Sequence, residues 1–307
     1  MKKVLFVLLL VLTLCFSLGC DKQDYSLLLP SGMPLVAVGG VVDEFDTLTT
    51  DGAALLKTEL MADNYDVIIA PVNLGATLYN ASKLNYKMAS VITMSNIYVV
   101  TRAENKLDSL SDLEGKTIYS YGDGQPADKT LKYIIEKSGV NTTVLNNGID
   151  SVATVVQSYF VNKTAEYILC AEPYVSNIKE KLHIDINVLD LSEVAKDLGE
   201  DSLNFLPQAC IYLNVNNSKE KNNAILKKIE DNINKMINHK DRYVSSLLAQ
   251  DEDLYPLFNN LGEDILKMVC NPDNINYVSA LDHANDIKTY LSLIGISLND
   301  DNLFYEK

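Results

Sequence analysis

The stretch YDVIIAP at residues 65–71 is an apolar run that ends at a proline. Such a run, bounded by turn residues, is typical of a strand buried on both faces, as in parallel sheets covered by helices. The pattern around it alternates. Strands at 25–29 and 45–50 and a helix at about 53–61 come before it, and a short helix begins near Gly75. This order predicts a mostly parallel α/β sheet.

A second strand–helix series follows a β-rich segment at 91–101 and a polar segment at 102–108. We place its strands at 117–121, 144–146, 167–171 and 186–191, and its helices at 127–138 and 151–160. Another β-rich run at 209–215 precedes a mainly helical C-terminal third. Since no linker rich in proline, glycine or serine separates the two series, we expect two lobes joined by short crossings near 102–108 and 204–210.

The composition is that of a globular protein, with 307 residues of which 47% are hydrophobic and 22% are charged. A formal net charge of −15 opposes binding to a phosphate backbone, so we expect no nucleic-acid partner. There are only three histidines, and no Gly-x-Ser-x-Gly, Walker or His-Glu-x-x-His motif occurs. We therefore expect a protein that is not an enzyme and that holds no metal or cofactor.

The N-terminus has the pattern of an export signal. Two lysines precede an apolar run at 4–18, which ends in Gly19-Cys20. This ending looks like a bacterial lipobox, which implies that residues 1–19 are removed as a lipoprotein signal peptide. It also implies that Cys20 is acylated, by diacylglyceryl and palmitate, and that residues 20–24 are a short tether. An uncleaved anchor helix is the alternative, and both readings place the rest of the chain outside the cytoplasm.

Three cysteines lie beyond the signal and the lipobox, and they are far apart without a Cys-x-x-Cys motif. This number does not indicate a disulfide-built fold. Cys170 and Cys210 lie in apolar runs and are expected to be small core residues. A single bridge among Cys170, Cys210 and Cys270 stays open.

Three loops follow predicted strands and lead into helices, which is where open α/β sheets place ligands. In each loop a glycine allows close approach of the backbone, and polar or aromatic side chains are available for contact. An ordinary turn or a helix cap is the alternative for each. The candidate binding residues in these loops are Ser31, Gly32 and Met33, then Asn73, Leu74 and Gly75, then Tyr121, Asp123 and Gln125.

Glu172 follows the apolar strand at 167–171 and precedes Pro173 and Tyr174. A carboxylate at the edge of a cleft could accept hydrogen bonds from a ligand amine or ring N–H. A cap or a contact between lobes is the alternative. We add Tyr174, and also Asn96, which comes just before the first predicted crossing, to the candidate ligand-binding residues.

Several of these pieces together resemble bacterial solute-binding proteins of ABC importers. The pieces are the lipobox, the Pro30-Ser31-Gly32 loop, DVIIAP at 66–71, SLSDLEGK at 109–116 and Ala171-Glu172-Pro173. The most similar group is the NMT1/THI5-like family, which includes thiamine-precursor, sulfonate and nitrate binders. The stretch at 109–116 is the most specific piece.

The resemblance implies a two-lobed type II periplasmic-binding-protein fold with two crossing segments and a ligand cleft. Lobe 1 would contain 25–101 plus 212–307, and lobe 2 would contain 102–211. The resemblance further implies a monomer that closes on a small-molecule ligand, docks on a membrane permease and is held at the outer face of the cell membrane by the lipid on Cys20.

The acidic residues Asp123 and Glu172 favour a neutral or cationic polar ligand over a sulfonate or nitrate, which would prefer helix N-termini and cations. Tyrosines that can stack favour a heterocycle such as a thiamine-pyrimidine precursor. A receptor that signals through a membrane partner is the main alternative. An enzyme of pyrimidine synthesis that consumes its own histidine, and a surface adhesin, are weaker ones.

Overall fold

Apolar runs that end at glycine, proline or polar residues form the strands in a computed structural model, which describes residues 25–199 and 205–307. The strands in these residues are β1 (Ser26–Pro30), β2 (Asp46–Thr50), β3 (Val67–Pro71), β4 (Tyr86–Met94), β5 (Tyr98–Arg102), β6 (Thr117–Tyr119), β7 (Thr143–Leu145), β8 (Tyr167–Cys170), β9 (Ile186–Asp190), β10 (Pro207–Asn214) and β11 (Ile275–Ser279).

The α-helices in the same residues are α1 (Met33–Val38), α2 (Ala53–Ala62), α3 (Val72–Asn80), α4 (Pro126–Ser138), α5 (Val152–Val155), α6 (Tyr174–Glu180), α7 (Leu191–Asp197), α8 (Lys219–Asn238), α9 (Lys240–Leu248), α10 (Pro256–Val269) and α11 (Ala284–Leu293). The other helical elements of the described residues are two 3-10 helices, at Gly39–Glu44 and Leu110–Leu113, and a π-helical turn at Val156–Val161.

The strands form two sheets, one in each lobe. The first has the order β11-β4-β10-β3-β1-β2, and the second has the order β7-β6-β8-β5-β9. In the first sheet β2, β1 and β3 run parallel, while β10 is antiparallel to both β3 and β4. In the second sheet β7, β6 and β8 run parallel and β5 is antiparallel to both of its neighbours. The predicted two-lobed α/β architecture is therefore confirmed.

Strand β3 explains why the first sheet forms where the sequence predicts it. Its residues Val67, Ile68, Ile69 and Ala70 are all fully buried. Ile68 belongs to one apolar cluster, while Val67 and Ile69 belong to another. Both faces of the strand are thus covered, which is why its sequence is continuously apolar instead of alternating.

The first crossing between the lobes differs from the one expected at 102–108, whereas the return, directly before β10, lies within the expected segment at 204–210. The run at 91–101 is divided between β4 in the first sheet and β5 in the second, and 95–97 connects them. Ser95 and Asn96 have φ angles of 53° and 60°, which end the extended backbone there. The return into the first sheet comes before β10 at Pro207, and Ser95 N–H donates to the Leu206 carbonyl at 2.8 Å.

The chain consequently passes from one sheet to the other a few residues before the expected lobe boundaries at 101/102 and 211/212. The reason is that the side-chain pattern of β5 and β10 indicates strands but does not indicate which sheet each strand joins. The segment at 102–108, expected to cross between the lobes, begins at the last residue of β5 and lies within the second lobe.

The lobes also touch away from the crossings, through α4 of the second lobe and α11 of the first. The hydroxyls of Thr130 and Tyr290 lie 2.9 Å apart and both residues are buried. Lys129 Nζ donates to the Ile294 carbonyl at 2.7 Å. One apolar cluster runs through this contact and includes Leu131 of α4 and Leu291 of α11. The described structure therefore holds the lobes together by packing as well as by chain connection.

The three cysteines of the described residues are unpaired and buried. Burial raises the pKa of the thiols of Cys170 and Cys210 well above their usual range, and that of Cys270 to about 12. Cys170 and Cys210 are fully buried within apolar clusters, as expected of small core residues.

Candidate ligand-binding cleft

A cavity of about 740 Å³ lies between the two lobes, where several strands end and helices begin. Lobe 1 contributes the loops after β1 and β2, the last residue of β3, and parts of β4, β10 and α10. Lobe 2 contributes the loops after β6, β7 and β8. The polar and aromatic residues in the lining are Ser31, Thr50, Asp51, Thr93, Asn96, Tyr121, Gln125, Asp150, Ser151, Thr154, Glu172, Tyr174 and Gln208.

The loop after β1 lies in the cavity wall as expected. Gly32 has a φ angle of 93°, which an L-residue rarely adopts. It turns the chain so that the exposed Ser31 and the buried Met33 both line the cavity. The Ser31 N–H donates to the Thr50 carbonyl at 3.0 Å, which joins this loop to the loop after β2.

The loop after β6 is organised by Asp128, a fully buried carboxylate on α4. Asp128 accepts hydrogen bonds from the Ser120 hydroxyl at 2.6 Å and the Gly124 N–H at 3.1 Å, and Lys132 lies 2.7 Å from it. These bonds hold the chain between β6 and α4, where Tyr121 and Gln125 line the cavity. Burial raises the pKa of Tyr121, so it presents a neutral phenol.

Glu172 lines the cavity, but its carboxylate is already bound. One oxygen accepts the Ser176 N–H and the other accepts the Ser176 hydroxyl, both at 3.0 Å. This arrangement caps the start of α6, which is the alternative considered for Glu172. Burial raises the pKa of the Glu172 carboxyl, against the two Ser176 bonds, which lower it.

Asn96 connects the first crossing to the same region. Its Oδ1 accepts the Glu172 N–H at 2.6 Å, and its Nδ2 lies 3.4 Å from the Glu172 carbonyl oxygen. A segment between the lobes is thereby bonded to a segment of the cavity wall. Asn96 and Tyr174 both line the cavity as expected.

Four candidate residues lie outside the lining. Asn73 is buried in α3 and donates across the lobes to the Gly124 carbonyl at 3.3 Å. Gly75 lies inside α3, where a Cβ would come within 2.2 Å of the Tyr212 ring, so the absence of a side chain allows the helix to pack on that ring. Leu74 packs against the apolar core. Asp123 faces solvent beside Lys132 at 3.1 Å.

The positive φ angles of Gly122 and Gly124 turn the chain on both sides of Asp123, and sequence does not indicate which residue of such a turn faces inward. Helix α3 starts directly after Pro71, earlier than expected, and this places Asn73 and Gly75 inside a helix.

The lining includes two loops that the sequence reasoning missed. Thr50 ends β2 and Asp51, Gly52 and Ala53 follow it, and the segment at 148–154 follows β7. Both are loops after parallel strands, so the rule that selected the other loops applies to them also. Gln208 on β10 was missed as well, because a residue within a strand carries no such signal.

The charged residues of the lining are all acidic. They are Asp51, Asp150 and Glu172, and no lysine, arginine or histidine is among the described lining residues. Within residues 25–199 and 205–307, no group of three or more histidine, cysteine, aspartate or glutamate side chains is placed to hold a metal ion. No helix in the described ranges is both long enough and apolar enough to span a bilayer.

Two α/β lobes, two crossings and a cleft between the lobes define the fold of the periplasmic binding proteins. The sequence matches the NMT1/THI5-like family over residues 86–241, and the protein belongs to this family. The expected family is therefore confirmed. No curated protein sequence matches the chain.

Solved structures with this fold include an ABC transporter protein from Parabacteroides distasonis, which is 16% identical in sequence and superposes with a TM-score of 0.73. The alignment covers 93% of this chain and 99% of the Parabacteroides chain. The ligand-binding component of an ABC-type import system from Staphylococcus aureus, solved with zinc bound, is 11% identical with a TM-score of 0.68. The alignment covers 92% of this chain and 96% of the Staphylococcus chain. The alkanesulfonate-binding protein SsuA from Xanthomonas axonopodis pv. citri, bound to MOPS, is 10% identical with a TM-score of 0.62. The alignment covers 88% of this chain and 90% of the SsuA chain.

Proposed function

We propose that this protein is the substrate-binding component of an ABC importer and captures a small polar organic compound in its cleft. The observation that carries the proposal is the cavity of about 740 Å³ lined by loops of both lobes. A ligand that contacts both lobes favours the arrangement in which they close over it. Membership of the NMT1/THI5-like family and the likeness to import proteins support the same conclusion.

The lining supports a ring compound as the ligand. Tyr121 and Tyr174 offer aromatic faces, and Met33 offers an adaptable apolar contact. A heterocycle of the thiamine-pyrimidine type fits this set. The acidic charge of the described lining is unfavourable for a sulfonate or nitrate.

A sulfonate-type anion is the second candidate ligand. The first residues of α2 and α4 line the cavity, and the N-terminal end of a helix favours an anion. The SsuA protein with the same fold binds alkanesulfonates.

The binding test uses the full-length chain in a mild detergent, in calorimetry and thermal-shift measurements. The panel is 4-amino-5-hydroxymethyl-2-methylpyrimidine, thiamine, an alkanesulfonate and nitrate. We expect saturable binding of one pyrimidine ligand per chain, weakened about tenfold or more by Tyr121→Ala. Leu182→Ala, at an exposed position outside the lining, is the matched control. An absence of binding by every compound, together with the absence of any captured small molecule in native mass spectrometry of the protein purified from its host, would contradict the proposal.

The lipid anchor and the position outside the cytoplasm belong to the same proposal and rest on Cys20, which lies outside the described residues. The anchor would keep the protein beside its permease. Mass spectrometry of the mature N-terminal peptide checks this. We expect a chain that starts at an acylated Cys20, and we expect Cys20→Ser to release the protein from the membrane fraction.

The two alternatives are a signalling receptor and an enzyme that consumes its own histidine. A signalling receptor would bind the same ligand without supporting its uptake, so uptake of labelled ligand in a strain lacking this gene separates the two. An enzyme that consumes its own histidine needs a histidine in the cleft. His183, His239 and His283 are all outside the lining, which supports the binding function over that chemistry.

A further inference from the structure

Two carboxylates of the cleft are left without a protein partner. Asp51 is in the loop after β2 of lobe 1, and Asp150 is in the loop after β7 of lobe 2. Both side chains are exposed and both residues line the cavity. Within the described residues, neither carboxylate makes an ion pair or a side-chain hydrogen bond. Their oxygens are therefore available to a ligand.

The ordinary structural role of an aspartate in front of a helix is to cap its N-terminus. Asp51 and Asp150 do not do this. At α5 the cap is Ser151, whose hydroxyl oxygen accepts the Thr154 N–H at 3.3 Å. At α2 the cap position is Gly52, and the Gly52 N–H lies 3.5 Å from the Thr50 hydroxyl oxygen. The two carboxylates thus have no structural role among the described contacts.

Carboxylates of both lobes line the same cavity. The Asp51 carboxylate of lobe 1 contributes, after burial, to raising the pKa of Tyr174 of lobe 2. Asp150 lines the cavity from the lobe 2 side. Glu172 adds a third acidic group, but its oxygens are occupied by Ser176. No described lysine, arginine or histidine of the lining offsets these charges.

We propose that the cleft recognises a positively charged group on its ligand, such as an alkylammonium, an amidinium or a protonated ring nitrogen, through Asp51 and Asp150, one from each lobe. This inference rests on the proposed function and specifies the substrate class of the same site. Closing an empty cleft brings like charges together as water is excluded, which is unfavourable. A cation between the carboxylates reverses the sign of that interaction, so the charge of the ligand is coupled to closure.

The experiment uses three compounds built on one ring, 4-amino-2-methylpyrimidine, with an aminomethyl, a hydroxymethyl or a carboxylate group at position 5. Calorimetry with the full-length chain at neutral pH and low salt gives the three affinities. We expect the aminomethyl compound to bind about tenfold tighter than the hydroxymethyl compound, and we expect added salt to reduce this preference.

The variants Asp51→Asn and Asp150→Asn should each weaken binding of the aminomethyl compound about tenfold and leave the hydroxymethyl compound within about twofold. Asp123→Asn is the matched control. It changes the net charge of the chain equally, at an exposed residue paired with Lys132 outside the lining. It should leave both affinities within about twofold.

Equal or tighter binding of the hydroxymethyl or carboxylate compound would overturn the inference. So would Asp51→Asn and Asp150→Asn variants that behave like Asp123→Asn. If the pyrimidines do not bind, native mass spectrometry of the protein purified from its host, grown in rich medium, tests the inference. A captured cation supports the inference, and a captured neutral or anionic compound overturns it while the proposed function stands. Capture of nothing overturns both.

Discussion

Replacing Gly75 with alanine should destabilise the protein, although alanine is the better helix former. Gly75 is inside α3, and a Cβ there would lie 2.2 Å from Cε1, 2.4 Å from Cζ and 2.5 Å from the hydroxyl oxygen of Tyr212. Tyr212 is fully buried, and its hydroxyl lies 3.2 Å from the Val72 carbonyl oxygen and 3.3 Å from that of Pro71. The ring therefore has to move for the methyl group to fit.

The magnitudes decide the sign. Alanine in place of glycine in a helix interior gains roughly 1 kcal/mol. Overpacking a filled core costs roughly 1–3 kcal/mol, and the displaced Tyr212 hydroxyl loses a buried hydrogen bond worth roughly 1 kcal/mol. The free energy of unfolding of Gly75→Ala should thus be about 2 kcal/mol lower than that of the parent.

Urea unfolding followed by circular dichroism measures this difference, and a double-mutant cycle identifies its cause. In a Tyr212→Leu background the ring is absent, so Gly75→Ala should be neutral or stabilising by up to roughly 1 kcal/mol. A coupling free energy near zero between the two positions, or a Gly75→Ala variant more stable than the parent, would refute the reasoning.

Three further predictions concern other groups. Thr130→Val and Tyr290→Phe each remove the buried hydroxyl contact of 2.9 Å between the lobes and should each lower the free energy of unfolding by about 1 kcal/mol. The double variant should lose less than the sum of the two single losses, and strictly additive losses would show that the two hydroxyls do not interact. Because burial raises the pKa of Glu172 above its usual value of 4.5, its contribution to stability is present below that value and is lost as the pH rises through the raised pKa. Glu172→Gln, which does not ionise, should therefore gain stability relative to the parent in urea unfolding as the pH rises above about 4.5, and a difference independent of pH would count against this. Cys170, Cys210 and Cys270 are buried with raised pKa values, so peptide mapping after iodoacetamide treatment should find all three unmodified in the folded chain and modified in urea; labelling of any of them in the folded state would show that it is accessible.

The sequence predicted the elements of the fold well where burial dictates the residue pattern. Strand β3 is an example, since a strand covered on both faces has no alternative to a continuous apolar run. The predicted helix at 53–61 likewise corresponds to α2, Ala53–Ala62. The point where the chain leaves lobe 1 was displaced, because it depends on the left-handed backbone of Ser95 and Asn96, and neither serine nor asparagine requires that conformation.

The candidate site was predicted in part for a similar reason. The position of a loop at the end of a strand follows from the pattern, so Ser31, Tyr121 and Tyr174 do line the cavity. The direction of a side chain within a loop depends on backbone angles and on tertiary contacts. Asp123 therefore faces Lys132 and solvent, and Asp150, after the short strand β7, lines the cavity without having been selected. Whether these residues bind a ligand stays a prediction.

The position of β10 between β3 and β4 has a consequence for the order of assembly during synthesis. All five strands of the second sheet have been made by Asp190, whereas the first sheet lacks β10, the strand between β4 and β3, until Asn214. Strands β3 and β4 cannot become neighbours of β10 before the whole second lobe has been synthesised. The lobe that begins the chain is thus the lobe that finishes folding last, and its unpaired β3 and β4 edges stay available for wrong pairing until then.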